Sequence, residues 1–135
     1  MSTLSLLTSQ QKQSKATTRI NRNSKLFKTI VQAVQEKKAE AIVSLDLRKI
    51  PEAVADFFII CEATSSTEVK AIADNVEQKV KELCLELPYR HEGTHAAQWV
   101  LVDYVNIVVH IFQPETRKFY RLEEMWSDAQ AQEHA

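Results

Sequence analysis

The clearest pattern in the chain spans residues 98–112, where β-branched and aromatic residues follow one another and leave no polar face. Such a run favours two β-strands, which meet in a turn around Asp103–Asn106. Because side chains alternate along a strand, Trp99 points to one side of this hairpin and Val100 to the other. A hairpin that is buried on one side shows a polar second face. Both sides of this hairpin therefore need a cover.

The rest of the pattern divides into helices and strands of ordinary length. Apolar residues recur at helical spacing, or form short continuous runs, in six further segments. These are a helix over 24–38, strands over 41–47 and 56–61, a helix over 66–86, a short strand over 89–91 and a final helix from Pro114 to about Ala129. The order α-β-β-α-β-β-β-α predicts one α/β (α+β) domain, a mixed sheet of about five strands flanked by helices.

The predicted helices have specific places in this domain. Ser65 and Glu68 form a capping box at the start of the second helix, and Pro88 ends that element. We expect the helices over 24–38 and 66–86 to cover one face of the sheet. The C-terminal helix is then left to cover an edge or part of the other face.

Composition narrows the classes of protein. The chain has 135 residues, of which 44% are hydrophobic and 26% charged, as in an ordinary globular domain. No apolar run approaches the roughly 20 residues of a membrane span. Cys61 and Cys84 suggest reduced, intracellular thiols rather than a disulfide framework. Gly93 is the single glycine, which excludes glycine-rich phosphate loops.

Charge is distributed unevenly along the chain. Residues 1–35 contain six basic residues and no acidic one, whereas the remaining 100 residues contain 11 basic and 18 acidic residues. Residues 1–23 are rich in Ser, Thr and Gln, and we interpret them as a disordered basic arm in front of a domain over 24–135. The arm has three readings: a plain solvated tail, an organellar transit peptide, or an electrostatic tether to nucleic acid or a ribonucleoprotein surface.

Candidate catalytic and metal-binding residues are few. His91 and His95 have the i, i+4 spacing of a zinc pair, but they flank a predicted loop without a further ligand nearby. Cys61 and His110 could form a nucleophile and base, yet both fall within apolar strands, where packing is the commoner role. No nucleophile, base and oxyanion donor come together, so we predict that the protein is not an enzyme and uses no cofactor or metal.

The hairpin is instead a candidate protein-binding surface. Trp and Tyr often dominate the binding energy of interfaces, which makes Trp99 and Tyr104 candidates, with Asp103 and Asn106 as a polar rim. An uncovered apolar strand face marks such a surface and also predicts a homodimer in the free state. The alternative reading is that Trp99 is a plain core residue.

Several motifs, in order, resemble the ribosomal silencing factor family (RsfS, Iojap, DUF143). The resemblance covers about Lys25 to Ala129. It lies in residues 56–61 (DFFIIC), 63–74 (ATSSTEVKAIAD), 92–93 (EG), 99–104 (WVLVDY), 108–112 (VVHIF) and 117–126 (RKFYRLEEMW).

The resemblance implies a fold and a function. The fold would be nucleotidyltransferase-like, without the catalytic Gly-Ser and carboxylate set. The function would be to bind the large-subunit ribosomal protein numbered fourteen in the universal scheme, block joining of the small subunit and repress translation when nutrients are short. We expect a protein of the bacterial cytoplasm with no membrane contact, whose basic arm makes a weak contact with ribosomal RNA. By position, the residues for the ribosomal contact would be Trp99, Asp103, Tyr104, Glu92 and Gly93, with Arg117, Tyr120 and Arg121 as further candidates.

Two other functions stay open from the sequence, and one local departure stands out. A nucleotidyltransferase-like enzyme would need paired carboxylates for Mg²⁺, for which Asp46 and Asp56 are the available pair. A biogenesis factor for the large subunit would share the partner but not the repression. The family commonly has Gly-Asp where this chain has Val105-Asn106. Because a β-branched residue resists positive φ, we expect Asn106 to take the left-handed conformation and the turn to shift by one residue.

Overall fold

The computed structural model describes residues 21, 22 and 24–135, which form four helices and six strands. The predicted basic arm lies outside the described residues except for Asn21 and Arg22, so its boundary stays a prediction. In chain order the elements are α1 Lys25–Glu36, β1 Glu40–Asp46, β2 Phe57–Glu62, α2 Ser66–Cys84, β3 Arg90–Glu92, β4 Trp99–Asp103, β5 Ile107–Phe112, α3 Pro114–Tyr120, α4 Leu122–Met125 and β6 Gln130–His134.

The strands form one mixed sheet in the order β3-β4-β5-β2-β1-β6. β2 and β5 are parallel and begin together, with Phe57 opposite Ile107, while the other neighbouring pairs are antiparallel. The predicted fold class, a single α/β (α+β) domain with a mixed sheet and flanking helices, is confirmed. The strand count is six rather than about five.

The two long helices begin at serine caps. The Ser24 hydroxyl accepts a hydrogen bond from the Phe27 amide at 3.4 Å, and the Ser65 hydroxyl accepts one from the Glu68 amide at 3.1 Å. Each bond satisfies an amide that has no partner within the helix. The Glu68 carboxylate in turn accepts from the Ser65 hydroxyl at 3.0 Å. The predicted cap of α2 is therefore present.

Both α1 and α2 cover the same face of the sheet, as predicted. The core beneath them contains Val100 and Val102 of the hairpin together with Ile107, Val109 and Ile111. The two helices are also joined by a polar contact, because the Asn75 amide donates to the Ala33 carbonyl at 2.8 Å and to the Glu36 carboxylate at 2.9 Å.

The second face has a less regular cover. A smaller apolar cluster lies there, formed by side chains of β1, β2 and β5 under the connection between β1 and β2 and under the C-terminal segment. Leu122 is buried in this cluster, and the Trp126 ring meets the edge of Phe58 with centroids 5.9 Å apart. Trp99 and Leu101 belong to this face but remain half-buried.

The predicted C-terminal helix is wrong in its extent. The segment breaks at Arg121, which has a φ of +50°, and residues 130–134 form β6 beside β1. β6 reads Gln-Ala-Gln-Glu-His and is mostly exposed, so it carries no hydrophobic alternation that would predict a strand. Its main-chain pairing with β1 holds it in place. Within the described part of the chain, no helix is long and apolar enough to cross a membrane.

Candidate functional site

An open groove of about 450 Å³ lies on the second face of the sheet, over the hairpin. Its floor is apolar and aromatic, and its rim carries charge. The floor residues come from β2, β4 and β5 and are Phe58, Trp99, Leu101, Val108 and His110. The rim residues come from β3 and the connections and are Val54, Arg90, Glu92 and Gly93. Asp103, at the end of β4, is buried and completes the lining. We call this surface the hairpin groove.

Trp99 is held from three sides in the hairpin groove. Its indole Nε1 donates a hydrogen bond to His110 Nδ1 at 3.1 Å. Its ring stacks on Phe112 with centroids 4.8 Å apart and meets Tyr120 at 5.0 Å. A large aromatic side chain fixed in one orientation loses little entropy when a partner covers its remaining surface. Trp99 therefore has the features of a binding residue whose position is set in advance.

The aromatic floor continues from Trp99 toward β2. The His110 ring meets Phe58 with centroids 4.5 Å apart, and Phe58 in turn contacts Trp126. His110 lies opposite Leu101 in the antiparallel register, which places both on the groove side. The indole bond requires His110 Nδ1 to be free of a proton, so the imidazole accepts at this atom.

Asp103 supports the turn of the hairpin rather than an exposed rim. Its carboxylate is buried, accepts the Val105 amide at 2.8 Å and lies 3.4 Å from Arg90 Nε. Val105 itself takes the positive φ of +73°, and the Asn106 amide donates to the Tyr104 carbonyl at 2.8 Å. This is a γ-turn. The prediction that Asn106 takes the left-handed conformation is wrong, because the buried carboxylate fixes the Val105 amide.

Glu92 and Gly93 form the edge of the groove beside Trp99. Gly93 has a φ of +82°, and a Cβ on it would lie 2.0 Å from the Trp99 carbonyl oxygen. Only glycine permits this close approach of two backbone segments. Glu92 is exposed and forms an ion pair with Arg90, which places one charge of each sign at the rim.

Tyr104 lies on the opposite side of the sheet from Trp99. It is buried in the core under the helices, and its hydroxyl has no hydrogen-bond partner among residues 21, 22 and 24–135. Burial raises the pKa of this phenol, and the carboxylates of Glu77 and Glu86 raise it further. The structure therefore does not bring Tyr104 into the hairpin groove.

The three candidates in the C-terminal segment have different surroundings. Tyr120 joins the groove wall through Trp99, and its ring also meets exposed Phe119. Arg117 is largely buried and donates to Glu62, Glu123 and the Ala41 carbonyl, at 2.8–3.1 Å. Burial lowers the pKa of Arg117, but its two carboxylate partners outweigh this and raise it.

Arg121 is the third of these candidates and lies away from the groove lining. It separates α3 from α4 in the left-handed conformation, and its side chain is exposed. Of the eight candidate residues, four line the groove and Tyr120 adjoins it. Three groove residues that the sequence analysis did not name for binding follow from alternation, because Leu101, Val108 and His110 share the face of Trp99.

The residue pairs considered for catalysis are not assembled. Cys61 belongs to the core under the helices, and its burial raises the thiol pKa to about 12, whereas His110 faces the groove. Asp46 is engaged by Arg48, whose Nε and Nη2 donate to its two oxygens at 2.9 and 2.7 Å. Within the described ranges, no group of three or more His, Cys, Asp or Glu could hold a metal ion.

Comparisons with known proteins give this groove a context. A family model described as "Ribosomal silencing factor during starvation" matches residues 20–135. The ribosomal silencing factor RsfS of Halalkalibacterium halodurans is 41% identical over 107 residues, which cover 79% of this chain and 90% of that protein. A mouse protein named "Mitochondrial assembly of ribosomal large subunit protein 1" is 36% identical over 74 residues, which cover 53% of this chain and 32% of that protein. A crystal structure of a Chromobacterium violaceum protein matches with a TM-score of 0.71 at 31% identity, covering 76% of this chain and 83% of that chain.

Proposed function

Because this chain belongs to the ribosomal silencing factor (RsfS) family, we propose that it represses translation by binding the large ribosomal subunit. In this proposal it docks on the universal large-subunit protein fourteen, prevents joining of the small subunit and acts under nutrient limitation. The observation that carries the proposal is the half-exposed, aromatic hairpin groove centred on Trp99. The cytoplasm of a bacterium is the compartment that the proposal requires.

The chemistry of the groove suits a protein partner. Its centre is apolar and its rim holds the Arg90–Glu92 ion pair, which is the common arrangement of protein interfaces. The apolar surface continues past the groove through Tyr120 to Phe119, whose side chain is 79% exposed. Contiguous exposed apolar surface of this kind marks binding sites for other proteins.

Steric occlusion needs no chemistry beyond docking. A domain that occupies the subunit-joining surface represses translation through its bulk, so neither a cofactor nor a conformational change is required. The alternative of a nucleotidyltransferase-like enzyme would need two carboxylates free to hold Mg²⁺. The bidentate contact of Asp46 with Arg48 opposes that use of the Asp46–Asp56 pair.

A role in assembly of the large subunit is the second candidate function. The name of the mouse relative, which refers to assembly of the ribosomal large subunit, favours it. Both functions use the same partner, and they differ in outcome. A silencing factor changes the association of finished subunits, whereas an assembly factor changes the number of finished large subunits.

The test is cosedimentation with purified 50S and 70S particles, using the wild-type chain and Trp99→Ala. Removing a central aromatic residue of an interface costs about 2 kcal/mol or more, which is roughly a 30-fold weaker Kd. The matched control is Leu85→Ala, since Leu85 is 88% exposed at the end of α2 and outside the groove. We expect Trp99→Ala to lose binding to 50S particles and Leu85→Ala to keep it.

The same particles test docking through the groove and silencing of the ribosome separately. Equal binding by wild type and Trp99→Ala would refute the groove as the docking surface. If binding is normal but the wild-type protein leaves the joining of 30S and 50S subunits unchanged, the silencing function is refuted. Thermal unfolding of each variant establishes that a loss of binding is not a loss of fold.

A further inference from the structure

A second cleft, of about 640 Å³, lies between α1 and β6 at the sheet edge farthest from β3. Its polar lining consists of basic and amide side chains, namely Arg22, Lys28, Gln32, Gln35, Gln132 and His134. No Asp or Glu side chain lines it. We call it the α1–β6 cleft.

The lack of Asp and Glu side chains in this lining contrasts with the charge of the rest of the domain. From residue 36 onward the chain contains 18 acidic and 11 basic residues, whereas none of the acidic residues precedes Glu36. The outer face of α1 exposes Lys25, Lys28 and Gln32 in succession along the helix. A basic strip on an acidic domain is the electrostatic footprint of a nucleic-acid contact.

The positions of the donors in the cleft are set by contacts within the domain. Arg22 lies 3.7 Å from Asp46 and over the Phe57 ring at 5.5 Å. The His134 ring packs at 5.9 Å from Phe27 and is hydrogen-bonded to the Ser44 hydroxyl at 2.9 Å. Gln35 donates to the main-chain oxygen of Ala135 at 2.6 Å, which joins the end of α1 to the end of β6.

We propose that the α1–β6 cleft, with Lys25 beside it, binds the sugar-phosphate backbone of RNA on the large ribosomal subunit. Lys and Arg pair with phosphates, and Gln and His side chains donate to phosphate oxygens and 2′-hydroxyls. This inference rests on the proposed function for the identity of the RNA. The cleft and the hairpin groove lie at different edges of the sheet and on different faces, so occupation of one leaves the other accessible.

The test compares two double variants of the full chain that each remove two positive charges. Lys25→Gln with Lys28→Gln removes the charges of the α1 face, and Lys70→Gln with Lys81→Gln removes exposed charges of α2. The wild type and both variants contain the basic arm, so a difference in RNA affinity between the two variants reports on the α1 face. The probes are a 20-base-pair RNA duplex and purified 50S particles, each titrated at several KCl concentrations.

We expect the α1 variant to bind the duplex more weakly and to depend less on salt. Because each phosphate contact releases counterions, the slope of log K against log [KCl] should fall by about 0.7–0.9 per lysine, roughly 1.5 in total. The α2 variant should keep the wild-type slope. Equal slopes for the two variants, or no duplex binding by the wild type at 50 mM KCl, would overturn the inference.

Trp99→Ala distinguishes this inference from the proposed function. If the groove docks and the cleft binds RNA, Trp99→Ala loses 50S binding but keeps the wild-type affinity and salt slope for the duplex. If Trp99→Ala binds 50S particles normally while the α1 variant does not, the groove proposal fails and the RNA contact stands. A reduced duplex affinity of Trp99→Ala equal to that of the α1 variant would refute a separate RNA site.

Discussion

Replacing Gly93 by alanine tests the close packing of the backbone beside the hairpin groove. Gly93 has a φ of +82°, and its added Cβ would lie 2.0 Å from the Trp99 carbonyl oxygen and 3.1 Å from the carbonyl carbon. Both atoms are backbone, so no side chain can rotate away to make room. The start of β4, or the connection that precedes it, must move by about 1 Å or more to restore an ordinary contact.

The cost of this substitution can be estimated from its parts. An alanine in the left-handed region costs about 1–2 kcal/mol. Forcing an extra carbon into a packed contact costs about 1–3 kcal/mol, while the smaller entropy of the unfolded alanine chain returns about 0.5–1 kcal/mol. We therefore expect the free energy of unfolding to fall by about 2–4 kcal/mol.

The assay is denaturant unfolding of the full chain, followed by far-ultraviolet circular dichroism, with Thr94→Ala as the matched control in the same connection. Thr94→Ala should change the free energy of unfolding by roughly 0.5 kcal/mol or less, as most substitutions away from special positions do. Gly93→Ala should also weaken binding to 50S particles, because Trp99 moves with the strand. A Gly93→Ala protein as stable as the wild type would refute the close approach of these two segments.

Two further substitutions test other features. Leu85 ends α2 with a φ of +56° and an exposed side chain, so Leu85→Gly should raise the free energy of unfolding by about 0.5–1 kcal/mol. Leu83→Gly, inside the helix, should lower it by a similar amount. A Leu85→Gly protein that is less stable than the wild type in urea unfolding would contradict this. Hydrogen bonding to Arg48 lowers the pKa of Asp46 in the folded chain, so the pair contributes stability above the unfolded-state pKa of about 3.9 that is lost as pH falls through the folded pKa. Asp46→Asn should therefore have a free energy of unfolding about 1–2 kcal/mol below that of the wild type at pH 7, and this difference should shrink below pH 4. A difference in stability that stays constant from pH 7 to pH 2.5 would show that the ion pair is not its source.

The elements with strong patterns were predictable from the sequence. The apolar alternation of the hairpin placed Val100 and Trp99 on opposite faces, and the structure confirms this. The cap at Ser65 was predictable because side-chain capping is local and needs no tertiary information. β2 was also predictable, because its continuous apolar run is typical of a central strand.

The rest depended on contacts between distant parts of the chain. β6 was missed because main-chain hydrogen bonds to β1 hold this exposed edge strand. Such bonds do not depend on side-chain hydropathy, so they leave no pattern in the sequence. The turn at Val105 was missed because the buried Asp103 carboxylate overrides the preference of a β-branched residue. Tyr104 was placed among the groove candidates because of its residue type, although alternation along the strand puts it on the face of Val100 and Val102, under the helices.

The openness of the hairpin groove follows from how unequally the sheet is covered. Two long helices cover the central strands of the first face. On the second face the C-terminal segment reaches Phe58 through Trp126 and leaves Leu101 half-buried. An antiparallel hairpin with one such open face commonly has polar residues there. The fold alone therefore does not require leucine at position 101, beside an indole whose polar atom is already satisfied by His110. We therefore expect that a docking partner covers these side chains and that Trp99 and Leu101, rather than the charged rim, supply most of the binding energy.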